Sequence, residues 1–161
     1  MRSWYERHAE LDDVLEGARK RTVRTIIVDV EPFVSWWGGD QESLDRGVAM
    51  IVGKVSALPT LRVLVFATNS ARRPSAIPAS RDIEVIYLAS AGKPLRMAPY
   101  RGLPRPGAVI GDQVATDGML ARRLGFAFLY YQPPLDDVPL GPRVLHRLGR
   151  LAVPLLFKRP E

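Results

Sequence analysis

Cysteine is absent from the chain. That absence excludes disulfides, thiolate zinc sites and cysteine nucleophiles, and it leaves the redox compartment undetermined. Histidine occurs only at His8 and His146. His146 stands among arginines and neither histidine neighbours Ser70, so a Ser-His-Asp triad has no support. No apolar run approaches the roughly 20 residues of a membrane-spanning helix. The opening stretch MRSWYERHAELDDVLEGARKR carries acids and lacks the apolar centre of a secretory leader, so a cytoplasmic protein is expected. Zinc-finger and RNP patterns are missing, and the basic runs ARKRTVR and RVLHRLGR contain no interleaved aromatics. The formal charge of +6 therefore reads as a solvated basic surface, and nucleic acid is not the expected partner.

With 161 residues, 47% hydrophobic and 25% charged, the chain suits one soluble domain with a core of its own. Five apolar runs read as strands: TIIVDV (25–30), LRVLVFAT (61–68), IEVIYLA (83–89), GAVIG (107–111) and FAFLYY (126–131). They are rich in Val, Ile and aromatics and mostly do not alternate, as strands covered on both faces should. The stretch DQESLDRGVAMIVGKVSAL opens with Asp40 as N-cap and places Leu44, Val48, Ile51, Val52 and Val55 on one helical face. This predicts a βαβ unit. VATDGMLARRLG predicts a second helix, ending at Gly125. KPLRMAPYRGLPRPG holds four prolines, which excludes a long helix between Lys93 and Gly107. The expected fold is α/β: a single Rossmann-like three-layer domain over 1–161 with a parallel sheet. Its core covers about 22–133, and no insertion is large enough for a cap domain.

In such folds ligands bind outside the carboxyl ends of the strands. Those ends carry Asp29 and Glu31, then Thr68, Asn69 and Ser70, then Gly92 and Lys93, then Gly111, Asp112 and Asp117. Asp29 and Asp112 are suited to a hard divalent cation such as Mg²⁺. The Lys93 ammonium and Thr68 hydroxyl are suited to phosphate oxygens. An Asp29 oxygen could attack phosphorus, with Glu31 protonating the leaving oxygen and later activating water. Each residue also has an ordinary reading: strand-end acids are often solvated, Asp117 lies in a predicted helix and could face solvent, Lys93 could be a surface lysine, and Thr68-Asn69-Ser70 could cap a turn.

In order, IIVDVEPFVSWW, VLVFATNS, AGKP and VIGDQVATDGMLARRLGF resemble the motifs of the haloacid dehalogenase-like superfamily. Within it, the chain looks like the small IIIA-type phosphatases related to phosphatidylglycerophosphate phosphatase. The resemblance runs from about residue 10 to residue 133, and GDQVATD downstream of GKP is its most specific part. It implies an Mg²⁺-dependent phosphomonoester hydrolase acting through an aspartyl-phosphate. Asp29 would be nucleophile and metal ligand, and Glu31 would lend its side chain to acid-base work and its backbone carbonyl to the metal. Thr68, Asn69 and Lys93 would bind phosphate, with Asp112 and Asp117 as further metal ligands. The implied substrate is a phosphorylated small molecule or a phospholipid headgroup. Where the family has a second Asp followed by Asn-Thr, this chain has Glu31, Pro32 and Phe33. The alternative raised by that departure is a catalytically impaired pseudo-phosphatase, the same fold kept as a phosphate-binding or protein-interaction module.

The segment from about 140 to 158 forms a basic amphipathic pattern. Arg143, Arg147 and Arg150 share one side of a helical projection, and Leu145, Leu148, Ala152 and Leu155 lie toward another. It predicts either a helix packed on the sheet or a peripheral contact with an anionic membrane surface.

Overall fold

Strands buried on both faces explain why the apolar runs do not alternate. In a computed structural model of the protein, β2 (Thr25–Asp29), β3 (Val63–Ala67) and β5 (Gly107–Gly111) are buried at every position. The structure describes residues 5–8 and 11–132, together with 141, 143, 144, 149, 151, 153, 156 and 157. The remaining elements are β1 (Tyr5–His8), α1 (Leu11–Lys20), α2 (Gln41–Val55), β4 (Glu84–Leu88), α3 (Met119–Leu124) and β6 (Ala127–Tyr131). Six parallel strands form one sheet in the order β1-β6-β5-β2-β3-β4.

The alternation hidden in the sequence reappears as two separate cores. Ile26, Val28, Leu64, Phe66 and Ile110 point to one face, where they meet Val14 and Ala18 of α1 and Leu44, Val48, Ile51, Val52 and Val55 of α2. Ile27, Val65, Val109, Phe128 and Tyr130 point to the other, where Leu120 and Leu124 of α3 and Tyr100 cover them. The α2 face is the one its periodicity predicts, and Asp40 caps it by accepting from the Ser43 N–H at 2.8 Å. No long helix forms among the prolines between β4 and β5, where a single 3₁₀ turn at Ala98–Tyr100 is the only helical piece.

Two elements lack the expected apolar signature. β1 reads YERH and is recognisable only by its pairing with β6. α1 carries Asp12 and Asp13 in its first turn and Arg19 and Lys20 in its last, the charge order that a helix dipole favours. Few apolar residues suffice for it because it covers one edge of the sheet.

Residues 68–83, between β3 and β4, form no helix. They are tied down by polar contacts instead: Asp45 of α2 accepts from the Ser75 N–H at 2.8 Å, Gln41 donates to the Arg73 carbonyl at 2.9 Å, and the Tyr87 hydroxyl donates to the Arg72 carbonyl at 3.2 Å.

Of the basic amphipathic segment, Val153 and Phe157 are buried in the second core, with the Phe157 ring 5.5 Å from that of Phe128. Arg143 is partly buried and Val144 and Leu151 are exposed. Leu145, Arg147, Leu148, Arg150, Ala152 and Leu155 lie outside the described residues. Among the described residues no helix is long and apolar enough to cross a membrane.

The chain leaving β2 is pressed onto α2 at Gly47, where a Cβ would stand 2.0 Å from the Val34 carbonyl oxygen. Gly53, in the same helix, has nothing within 4 Å of the corresponding point. Gly53→Ala should therefore raise stability by about 0.5–1 kcal/mol through helix propensity. Gly47→Ala should lower stability and loosen the loop after β2. Urea unfolding of the two variants checks the contrast, and equal effects at both positions would contradict the packing described.

Candidate functional site

Strand order decides where the polar strand ends meet. From β2 the chain moves outward through α2 on the first face to β3 and β4, then returns to β5 on the other side of β2 and leaves it across the second face. The connections after β2 and β5 thus diverge, opening a crevice at their carboxyl ends. Asp29 ends β2 and Asp112 follows β5. The residues after Asp112 form one π-helical turn, Val114–Gly118, in which the Asp117 and Gly118 N–H groups both donate to the Gln113 carbonyl. This wider turn folds Asp117 back over the end of β5. Gly111 permits it, since a Cβ there would lie 2.4 Å from the Asp117 carboxyl carbon.

Asp29, Asp112 and Asp117 consequently present carboxylate oxygens within 4.8 Å of one another, all three side chains buried. Lys93 reaches them from the loop after β4. Its ammonium stands 2.7 Å from Asp29 Oδ1 and 2.7 Å from Asp117 Oδ1. Asn69 holds the Lys93 main chain from both sides: its Oδ1 accepts from the Lys93 N–H at 2.8 Å, and its Nδ2 donates to the Lys93 carbonyl at 3.0 Å.

The electrostatics follow from three buried acids close together, two of them sharing the Lys93 ammonium. Burial, then the Asp117 charge, push the Asp29 carboxyl well above its usual range, and Lys93 opposes them only in part. Burial by itself would lower the pKa of Lys93. The Asp117 and Asp29 carboxylates more than offset this and hold it above the ordinary lysine range, so the ammonium keeps its charge. The all-oxygen donor set of three clustered carboxylates fits a hard divalent cation.

Beside this cluster lies a cavity of about 310 Å³, with Asp29, Glu31, Thr68, Ser70, Arg72 and Lys93 on its walls. Of the three clustered acids, Asp29 lines the cavity, while Asp112 and Asp117 do not and are fully buried. Trp37 contributes to the rim, and Asn69 lines the cavity while its amide remains bonded to Lys93. Glu31 points toward the loop after β3. Its Oε2 accepts from the Thr68 hydroxyl at 2.6 Å, and its Oε1 accepts from Ser70 Oγ at 3.2 Å and from Arg72 at 3.4 Å.

All seven sequence-derived candidates, Asp29, Glu31, Thr68, Asn69, Lys93, Asp112 and Asp117, thus meet at one end of the sheet. Asp117 is buried in the cluster, which removes the solvated-helix reading. Arg72 was not anticipated. It lies four residues beyond Thr68 beside a second arginine, Arg73, and only the path of the loop decides which of the two turns inward. Compared with protein-family models, curated proteins and solved structures, the chain has no significant match.

The raised carboxyl of Asp29 fixes a sign. Between the unfolded value near pH 3.9 and its higher folded value, the folded state holds more protons than the unfolded one, so this group lowers stability as pH rises through that window. In chelator, Asp29→Asn should gain in melting temperature over wild type from about pH 4 upward. Saturating divalent cation should narrow or reverse the order, because it stabilises a chain with the intact cluster. A variant that tracks wild type across the whole range would refute the assignment.

Proposed function

We propose that the protein is an Mg²⁺-dependent phosphatase of the haloacid dehalogenase-like type, hydrolysing a phosphomonoester through an aspartyl-phosphate on Asp29 without a large cap domain. The observation that carries this reading is that Asp29 alone of the acidic cluster lines the cavity, with Lys93 at 2.7 Å and Thr68 and Asn69 on the same wall. Mg²⁺ held by Asp29, Asp112, Asp117 and the backbone carbonyl of Glu31 would supply charge neutralisation and orientation of the phosphoryl group.

The chain's own residues account for the remaining steps. Asp29 Oδ1 is engaged by Lys93, which leaves its second oxygen to attack phosphorus. A bond from Asp29 to phosphorus forms as the ester P–O bond breaks, and the electron pair leaves on the substrate oxygen. Glu31 in its protonated form gives that oxygen a proton. A water then attacks phosphorus and passes a proton to the Glu31 carboxylate, and the Asp29 carboxylate leaves as inorganic phosphate departs. Lys93 stays charged throughout and offsets the negative charge gathered at the site. The cavity suits a phosphorylated small molecule or a phospholipid headgroup whose remainder stays outside.

A second reading has its own support. The Glu31 carboxylate is held by Thr68, Ser70 and Arg72, and an acid so held is not poised over a leaving group. This favours a pseudo-phosphatase that binds phosphate without turning it over.

Release of phosphate from an aryl phosphomonoester, with Mg²⁺ and with chelator, separates the two. The phosphatase reading expects Mg²⁺-dependent turnover that falls at least about a thousandfold in Asp29→Asn with an unchanged circular dichroism spectrum. Calorimetric titration with Mg²⁺ should show one dominant site that disappears in Asp112→Ala. Absence of turnover in wild type, with Mg²⁺ and phosphate still bound, selects the second reading. Activity that survives Asp29→Asn contradicts the covalent route.

A further inference from the structure

The donors around Glu31 form a built anion site. The Ser70 N–H donates to Thr68 Oγ1 at 2.9 Å, and the Arg72 N–H donates to Ser70 Oγ at 3.3 Å. Each hydroxyl oxygen thereby accepts from the backbone, and the Thr68 hydroxyl, 2.6 Å from Glu31 Oε2, also stands 2.9 Å from Ser70 Oγ. The Arg72 guanidinium is anchored independently of Glu31, since its NH2 donates to the Gly39 carbonyl at 2.7 Å and to Ser35 Oγ at 3.2 Å. Two hydroxyls and one anchored guanidinium line the cavity and converge on the Glu31 carboxylate. That is a donor set for phosphate oxygens, and the anion now bonded to it is the Glu31 side chain, which is 11% exposed.

We propose that Glu31 is an internal occupant of a phosphate subsite formed by Thr68, Ser70 and Arg72, and that a phosphoryl group binds there by displacing the Glu31 carboxylate. This deepens the reading of the cavity as a phosphate site and rests on it. Two of the three donors of the Lys93 ammonium are committed to Asp29 and Asp117, so the wall donors supply most of the hydrogen bonds a phosphoryl group would receive. The exchange couples two events. Phosphate takes over three donors, and the freed Glu31 carboxylate returns to the cavity, where it takes up a proton from water and becomes the acid the leaving oxygen needs, only once the substrate has arrived. Glu31, one methylene longer than Asp, has the reach for both places.

Isothermal titration with inorganic phosphate in the presence of Mg²⁺ tests the proposal on wild type, Glu31→Ala, Ser70→Ala and the double variant. Emptying the subsite should tighten phosphate binding in Glu31→Ala by about tenfold or more, the scale of a charge-assisted hydrogen bond released. Glu31→Gln, which keeps the shape and drops the charge, should show a smaller gain and guards against a misfolded Glu31→Ala. The gain from Glu31→Ala should largely vanish when Ser70→Ala is also present. If loss of repulsion alone caused it, the gain would be the same in both backgrounds, and that result overturns the proposal. Equal phosphate affinity of wild type and Glu31→Ala, or no phosphate binding by either, overturns it too. Turnover separates this outcome from that of the catalytic reading. A wild type that hydrolyses phosphomonoesters but shows no gain at Glu31→Ala keeps the phosphatase and rejects the displacement. A chain without turnover whose Glu31→Ala variant gains phosphate keeps the displacement and rejects catalysis.

Discussion

A lysine ammonium shared between two buried carboxylates is the contact around which this site is arranged. Lys93 lies 2.7 Å from both Asp29 and Asp117, and all three side chains are almost wholly removed from water. Charges in such a place are tolerated only when paired. Removing the lysine would take away the cation that Asp29 and Asp117 share. The surroundings serve this pairing. Asn69 holds the Lys93 peptide at both its N–H and its carbonyl, Gly111 leaves room for the Asp117 carboxylate, and the π-helical turn brings Asp117 inward. Asp29, Asp112 and Asp117 together offer three carboxylate oxygens within 4.8 Å of one another, an all-oxygen set of the kind that could hold a hard cation.

The sheet supplies the place where such a cluster can exist. All strands run parallel, so every carboxyl end faces the same way, and the reversal of direction between β2 and β5 separates the loops that would otherwise close over the crevice. Four strand ends contribute, yet the groups they carry lie up to 88 residues apart, from Asp29 to Asp117. Rigid strands packed on both faces give these side chains a fixed backbone, as a charge cluster of this density requires.

Opposite the buried cluster, the cavity wall has a second character. Arg72 joins the loop after β2 to the loop after β3 by bonding Glu31, Ser35 and the carbonyls of Trp36 and Gly39. Tyr87 in turn holds the Arg72 carbonyl from β4. With burial first and Glu31 next among the causes, the Tyr87 hydroxyl has its pKa pushed up to about 12 and remains a neutral donor. The region without a helix, residues 68–83, is therefore ordered by polar contacts that converge on the site. A carboxylate at residue 31 is part of this network and lines the same cavity as Asp29.

The local pattern of the chain was enough for five of the six strands, for α2 with its cap and buried face, and for the set of polar residues at the strand ends. These depend on short-range physics: β-branched runs favour extended chain, a 3.6-residue period marks a helix face, and prolines exclude helix. β1 escaped because a charged edge strand has no apolar signature and exists only through its pairing with β6. Asp117 was ambiguous as a residue because a helix period cannot reveal that its turn is π-helical and faces the cluster. The engagement of Glu31 by Thr68, Ser70 and Arg72, and the choice of Arg72 over Arg73, were decided by tertiary structure alone. Both depend on how two loops approach each other across separations of 37 to 41 residues, and that approach is set by parallel packing of β2 against β3, with no trace in the spacing of residues along the chain.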